Sequence, residues 1–252
     1  MTTFRAVLTT ALALLAAPGL MLRAQTPPST PPIRVLVTYG GHDFQAPEFW
    51  AMWDALPGVT YTKAPLPESA GLFRPGLEKN YDVVVLYDMF TGLTPDQKRD
   101  FESLLSTTRI GLVALHHSSN AHTDWDTYRR ILGGRYLDRP QSIDGREYPA
   151  STYHHDQEID VTIADPNHPI TRGLKPFRIH DETYGGVYIA PDAHSLLVTD
   201  HPTWKGPLVW THAYGPHGRV VVNLLGHDAQ AWSNPAYPEL LGRCVRWAAA
   251  RD

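Results

Sequence analysis

Five of the thirteen histidines in this chain stand at the ends of apolar segments or on the last of them: His42, His116, His117, His212 and His227. Imidazole changes charge near neutral pH and offers a lone pair to a proton or a metal. Several converging on one crevice therefore make a site for acid–base chemistry, metal binding or both. The run His180-Asp181-Glu182-Thr183-Tyr184 adds an imidazole, two carboxylates and a phenol within five residues. Adjacent acids are ordinarily a solvated surface feature. Here Phe177, Ile179, Tyr184 and Val187 surround them, and apolar neighbours raise a carboxyl pKa by desolvation, as general acid or base work requires.

Other chemistries fit less well. The segment Leu115-His116-His117-Ser118-Ser119 follows a buried strand, the position where hydrolases and amidotransferases raise a nucleophile on a strained elbow. It carries no cysteine, and the glycines of a serine elbow are missing, although Ser118 and Ser119 remain serine candidates. If the backbone there stays extended, side chains alternate, so His116 faces the crevice and His117 packs elsewhere. No HxH or HExxH spacing occurs, so the fold itself would have to assemble any ligands for Zn²⁺ or another divalent ion. Histidines 122, 154, 155, 168, 194, 201 and 217 fall in loops and read as surface residues. Trp204, Trp210, Trp232 and Tyr237 are candidates to line the crevice with flat apolar faces suited to sugar C–H surfaces, with core packing the competing role for Trp210.

The elements that must position these groups alternate. Strands are expected at 33–38, 59–62, 82–87 and 110–115, and helices at 47–56, from Thr94, and at 124–132. Thr94-Pro95-Asp96-Gln97 has the form of a capping box with proline at the first helical position. Thr123 is the expected cap of the third helix, and Gly133-Gly134 its stop. Residues 135–157 read as an irregular lid. Strands follow at 158–163, 184–189, 196–199, 207–212 and 219–224, then a helix from Asn234-Pro235 to near Arg251. This order predicts a flavodoxin-like α/β sandwich, a mostly parallel sheet with helices on both faces and later strands extending its edge. Ligands of such sheets collect beyond the carboxyl ends of the strands.

Residues 1–24 read as a cleaved secretory signal peptide: Arg5, an apolar run over 6–17 broken by Pro18-Gly19, and Leu22-Arg23-Ala24 before Gln25. The run is shorter than a membrane span requires. Residues 25–32 are a proline-rich linker, and 33–252 form one domain. Export to a periplasm or the exterior follows as an expectation, with no membrane attachment after cleavage. Cleavage leaves 20 basic against 26 acidic residues, a net charge of −6, which argues against nucleic acid as a partner. The single cysteine, Cys244, excludes an internal disulfide and lies on the apolar stripe of the last helix. A homo-oligomer is left open.

The segments taken in order resemble the trehalose-utilisation (ThuA-like) family. The matching pieces are Gly41-His42-Asp43, the strand 111–115 with His116, and Asp124-Trp125 with Tyr128 and Leu132-Gly133-Gly134. They continue with His168-Pro169-Ile170-Thr171, Asp181-Glu182-Thr183-Tyr184, Trp210-Thr211-His212 with Tyr214-Gly215, Gly218-Arg219-Val220, and Gly226-His227. The resemblance implies a class I glutamine amidotransferase-like fold without its catalytic cysteine, and a role in sugar metabolism, on glycosides first oxidised to 3-keto sugars. One departure stands out: Arg139-Pro140 occupies the place where many members carry His-Pro. Any part played by that histidine has no counterpart at this position.

The resulting expectation is an enzyme acting on a keto sugar or glycoside. Its catalytic candidates are His116, Asp181, Glu182 and His227, with Glu182 or Asp181 as base. His42, Asp43, Tyr184 and Trp210 are candidates for substrate binding, and His42, His116, His212 and His227 for a divalent metal. The alternative is a sugar-binding module that transforms nothing.

Overall fold

The hydrophobic pattern of residues 83–87 explains the architecture in miniature. Val83, Val85 and Tyr87 pack into one apolar cluster and Val84 and Leu86 into another, so the strand is buried on both faces. The computed structural model describes residues 30–215 and 218–251. The expected leader, most of the linker and His217 lie outside the described residues. The elements belong to one compact unit beginning at Pro32.

In chain order they are β1 (Ile33–Gly40), α1 (Ala46–Asp54), β2 (Val59–Pro65), β3 (Val83–Asp88), α2 (Pro95–Thr107), β4 (Gly111–Leu115) and α3 (Asp126–Leu132). Then come β5 (Gly134–Arg135), β6 (Gln141–Ile143), β7 (Arg146–Tyr148), β8 (Thr152–Ile163), β9 (Phe177–Gly185) and β10 (Tyr188–Ile189). The chain closes with β11 (His194–His201), β12 (Trp204–Tyr214), β13 (Gly218–Asn223), α4 (Ala229–Ser233) and α5 (Ala236–Ala248). The main sheet has nine strands in the order β2-β1-β3-β4-β13-β12-β11-β8-β9. Strands β2, β1, β3, β4 and β13 pair in parallel. From β12 onward every pairing is antiparallel.

Helices α1 and α5 cover one face through Phe49, Met52, Trp53, Leu240, Leu241, Cys244 and Val245. Helices α2 and α3 cover the other through Phe101, Leu104, Leu105, Tyr128, Ile131 and Leu132. Each large apolar side chain fully withdrawn from water contributes about 1.5–3 kcal/mol. The capping box is present: Gln97 N–H donates to Thr94 Oγ1, and Thr94 N–H to Gln97 Oε1. Cys244 is a buried free thiol, its pKa pushed up to about 12 by burial. Among the described residues no helix is long and apolar enough to cross a membrane.

Several local expectations are corrected. Helix α3 begins two residues late, and Trp125 rather than Thr123 precedes it, without a side-chain cap. Its stop is as expected, with Gly133 in the left-handed region at φ 63°. The expected lid is largely strand: a hairpin of β6 and β7, then β8 from Thr152. Strand β9 starts at Phe177, which puts Asp181 and Glu182 inside a strand and not before one. The cause is the partner: β8 pairs with β9 from Thr152 to Val161, through a register shift between His154 and Gln157. Polar residues form strand wherever such a ladder satisfies their backbone.

Candidate functional site

The carboxyl ends of β1, β4 and β13 each release a loop that carries a histidine. After β4 the chain enters a 3₁₀ turn, His116–Asn120. His116 takes a positive φ of 46°, rare for a residue with a side chain and found where surrounding structure enforces it. This turn ends the strand alternation. His116 is completely buried, whereas His117, expected to pack elsewhere, lines the pocket and stacks on His42 with ring centroids 4.4 Å apart. Both histidines therefore belong to the site.

The loop after β13 is fixed from several directions. Asp181 is buried and accepts N–H bonds from Gly226 at 2.6 Å and His227 at 2.9 Å, and from Glu182 at 2.8 Å. Trp232 Nε1 donates to the Gly226 carbonyl at 2.9 Å, and Tyr87 Oη to that of His227 at 3.2 Å. Gly226 has φ 102°, and a Cβ there would run into the Tyr237 ring, so only glycine fits. Asp181 thus anchors the loop that presents His227. Burial raises its pKa, against the pull of His116 and the three N–H donors. It was expected as a base; with both oxygens engaged by backbone, its place is structural.

Glu182, the next residue, faces the pocket. Its Oε2 lies 2.8 Å from His116 Nε2 and its Oε1 3.1 Å from His155 Nδ1. The other His116 nitrogen, Nδ1, is 2.7 Å from the Leu224 carbonyl. With acceptors at both nitrogens His116 is set up as an imidazolium. Burial opposes its charge, but the Glu182 bond and the Asp181 and Glu182 charges outweigh that and raise its pKa. Burial likewise opposes the Glu182 carboxylate, yet the His116 bond and the nearby imidazoles hold its pKa below the ordinary value. The raised glutamate pKa expected of a general acid is therefore absent. Burial and the charge of His116 depress His227, and the same causes depress His117 strongly, so both favour the neutral imidazole.

The pocket holds about 280 Å³ and is lined by His42, Met89, His117, Asn120, Tyr136, Tyr153, His155, Glu182, Tyr184 and His227. Tyr184 also stacks on His116 at 4.8 Å. Ring centroids of His227 lie 5.2 Å from His116, 5.0 Å from His155 and 6.3 Å from His42. Four distant segments, at 42, 116, 155 and 227, thus bring imidazoles to one crevice. Asp43 is exposed and lines a neighbouring depression formed by residues 39–44, outside the pocket.

Other expected residues lie elsewhere. His212 sits on β12, which runs antiparallel to β13 and pairs His212 with Val220, so its end points to the amino ends of the parallel strands. Its ring packs over Gly133, with Nδ1 3.1 Å from the Ile131 carbonyl, and it takes no part in the cluster. Trp210 is fully buried and donates to the Leu132 carbonyl at 2.8 Å, a core residue and not a substrate platform. Trp204 and Trp232 also donate to backbone carbonyls, and neither they nor Tyr237 line the pocket. Tyr136, Tyr153 and Tyr184 supply its aromatic walls. Ser118 and Ser119 are buried and line no part of it, which removes the serine candidates. Arg139 is exposed and pairs with Asp138 at 3.2 Å.

Two histidines assigned to the surface are misplaced. His122 is fully buried beside Trp125 and Tyr128, and its pKa falls to about 3 by burial. His155 is exposed yet belongs to the site, through Glu182. Its signal was present in the sequence: Tyr153 and His155 are two apart, so on a strand they share a face. Reading 135–157 as loop concealed it.

For a divalent cation the described residues offer His116, Glu182 and His227, whose ligand atoms lie within 4.8 Å of one another. The Nδ1 contact of His116 with a backbone carbonyl is the support a metal-bound imidazole ordinarily has. His42 and His212, expected in that set, are not members of it.

The fold is similar to solved ThuA-like proteins at low sequence identity. One from Parabacteroides merdae is 20% identical with TM-score 0.69, covering 86% of this chain and 90% of its own. One from Bacteroides uniformis is 18% identical with TM-score 0.66, covering 91% and 96%. PurLQS from Thermotoga maritima is 12% identical with TM-score 0.54, covering 86% and 99%, in keeping with an amidotransferase-like α/β fold. No curated protein matches the sequence. The family model described as ThuA, trehalose utilisation, matches residues 60–248, most of the chain, and the chain accordingly belongs to the ThuA family.

Proposed function

We propose that this protein is an exported enzyme that cleaves glycosides carrying a keto group, by acid–base chemistry at Glu182. Membership of the trehalose-utilisation family supports a carbohydrate-related role, and the leader-like sequence of residues 1–24 supports export. The observation that carries the chemistry is the bridging of one carboxylate between a buried imidazole and one at the pocket mouth, His116 at 2.8 Å and His155 at 3.1 Å.

A carboxylate held anionic by His116 lies 3.1 Å from His155 Nδ1, where its charge favours the proton on that nitrogen and leaves the Nε2 lone pair as the base. The arrangement follows the logic of a catalytic triad, with Glu182 orienting and His155 moving the proton. A keto group acidifies the adjacent C–H. His155 takes that proton, and the C–H electron pair becomes an enolate. The enolate collapses back to the carbonyl with a new C=C bond as the neighbouring C–O bond breaks. The departing oxygen recovers the proton from His155, so the products are an unsaturated keto sugar and an alcohol. Neutral His227 supplies an N–H to the keto oxygen without giving up its proton, which stabilises the developing charge.

The cluster of His116, Glu182 and His227 favours a second, metal-assisted reading. A divalent ion such as Zn²⁺, when bound by those three, supplies Lewis acidity at the keto oxygen. Metal analysis of purified protein separates the two readings. Incubation with 3-keto-glucosides tests both: released alcohol is expected from wild type and not from Glu182→Gln. Wild-type turnover in that variant would refute the assignment.

A further inference from the structure

Building on the carbohydrate reading above, we infer that the pocket accepts one uncharged sugar ring and that the group attached to it lies outside, stacked on Tyr153. The volume is the first ground. About 280 Å³ sits at the small end of ligand pockets, which run from about 300 to 1,000 Å³; one ring fits and two do not. A disaccharide or aryl glycoside therefore enters with one ring only.

Charge is the second ground. No lysine or arginine is among the lining residues. The imidazole nearest the Glu182 carboxylate, that of His116, is buried behind the pocket and already engaged by it at 2.8 Å. A phosphate or carboxylate on the sugar would lose its hydration beside the Glu182 carboxylate with no cation to pair it. The walls suit a neutral ring instead, because aromatic faces accept the C–H surface of a pyranose and Tyr136 and Tyr184 both line the cavity.

Tyr153 is the third ground. It lines the pocket and packs edge-on against His155 at 5.3 Å, yet it is 58% exposed. Among the described residues the only other large apolar side chain so exposed is Leu72, at 43%, which lines no part of the pocket. Tyr153 and His155 are alternate residues of β8. A leaving group protonated at His155 therefore departs beside an open aromatic ring, and a ring in that group can lie against it.

The test measures binding of methyl and phenyl 3-ketoglucosides, and of the 6-phosphate of the methyl compound, by calorimetry at pH 7.5 in protein carrying His155→Ala, which lacks the proposed base and so leaves them intact. The phenyl glycoside is expected to bind about five- to tenfold more tightly than the methyl one, the scale of one aromatic contact. Tyr153→Ala should abolish that preference and Leu72→Ala should keep it. The phosphate should bind at least about tenfold more weakly than its neutral parent. A phenyl preference that survives in Tyr153→Ala, or a phosphate bound as well as the neutral compound, would overturn the inference while leaving the carbohydrate reading intact. Failure of every glycoside to bind would overturn both.

Discussion

The two ends of the parallel strands in the central sheet carry histidines of similar sequence appearance and opposite consequence. At the carboxyl ends of β1, β4 and β13, His42, His117 and His227 line one pocket, with His116 buried behind it. At the amino ends His212 closes over Gly133 and bonds the Ile131 carbonyl. Both groups end or follow apolar strands. What separates them is direction: β13 runs parallel to β4, and β12 returns antiparallel, so its carboxyl end delivers a side chain to the far edge. Of the histidines that end or follow these apolar strands, the ones that reach the pocket come from strands that run with the parallel set.

The largest effect should come from the carboxyl end. Glu182→Gln keeps the size of the side chain and removes the charge that orients two imidazoles. Turnover of a keto-glycoside should fall by about 10²–10⁴-fold in a protein that still folds, although the loss of the buried partner of His116 lowers its thermal midpoint. Its neighbour provides the contrast. Asp181→Asn places an amide N–H against backbone donors at Gly226 or His227, and stability should fall by about 1–3 kcal/mol in denaturant melts. Activity should fall with it and return in part when a ligand restores the fold. Activity that ligand restores in Asp181→Asn but not in Glu182→Gln would sharpen the distinction between the two acids; a stable, inactive Asp181→Asn would break it.

A third test uses Asp88 at the end of β3, fully buried, bonded by Thr38 Oγ1 and the Phe90 N–H, with a pKa raised by burial to about 6. A carboxyl that binds its proton more tightly folded than unfolded stabilises below its unfolded pKa, and that contribution is lost as pH rises to about 6. The loss amounts to about 3 kcal/mol for a shift of this size. Asp88→Asn should flatten the decline between pH 4 and 7, measured by unfolding at fixed temperature. The smallest effect belongs to the amino end: His212→Ala should change turnover by less than about twofold, since His212 meets none of the reacting groups. A large kinetic loss there would break the comparison.

The fold was legible because its signals are local. Buried β-branched runs, the capping box at Thr94 and Gly133 after α3 each declare an element within a few residues, and the family motifs supplied their order. The site was legible in part. His42, His116 and His227 could be placed from strand ends. The separation of Asp181 from Glu182 could not, because it depends on which of two adjacent carboxyls meets a loop some 45 residues later. His155 was hidden for a related reason: polar residues at 152–157 gain strand structure from pairing with β9 and carry no apolar pattern of their own. His117 was misjudged because a single positive φ at His116 cancels the alternation on which the reading relied.

Glu182, bridged by two imidazoles, stands at the centre of the account, and proton exchange tests it most directly. Wild-type protein and Glu182→Gln are incubated with 3-keto-glucose in D₂O, and the signal of the C–H beside the carbonyl is followed by proton NMR. The account predicts that wild type exchanges that hydrogen for deuterium well above the uncatalysed rate and that the variant loses at least about a hundredfold of this. Equal exchange in both proteins would contradict it.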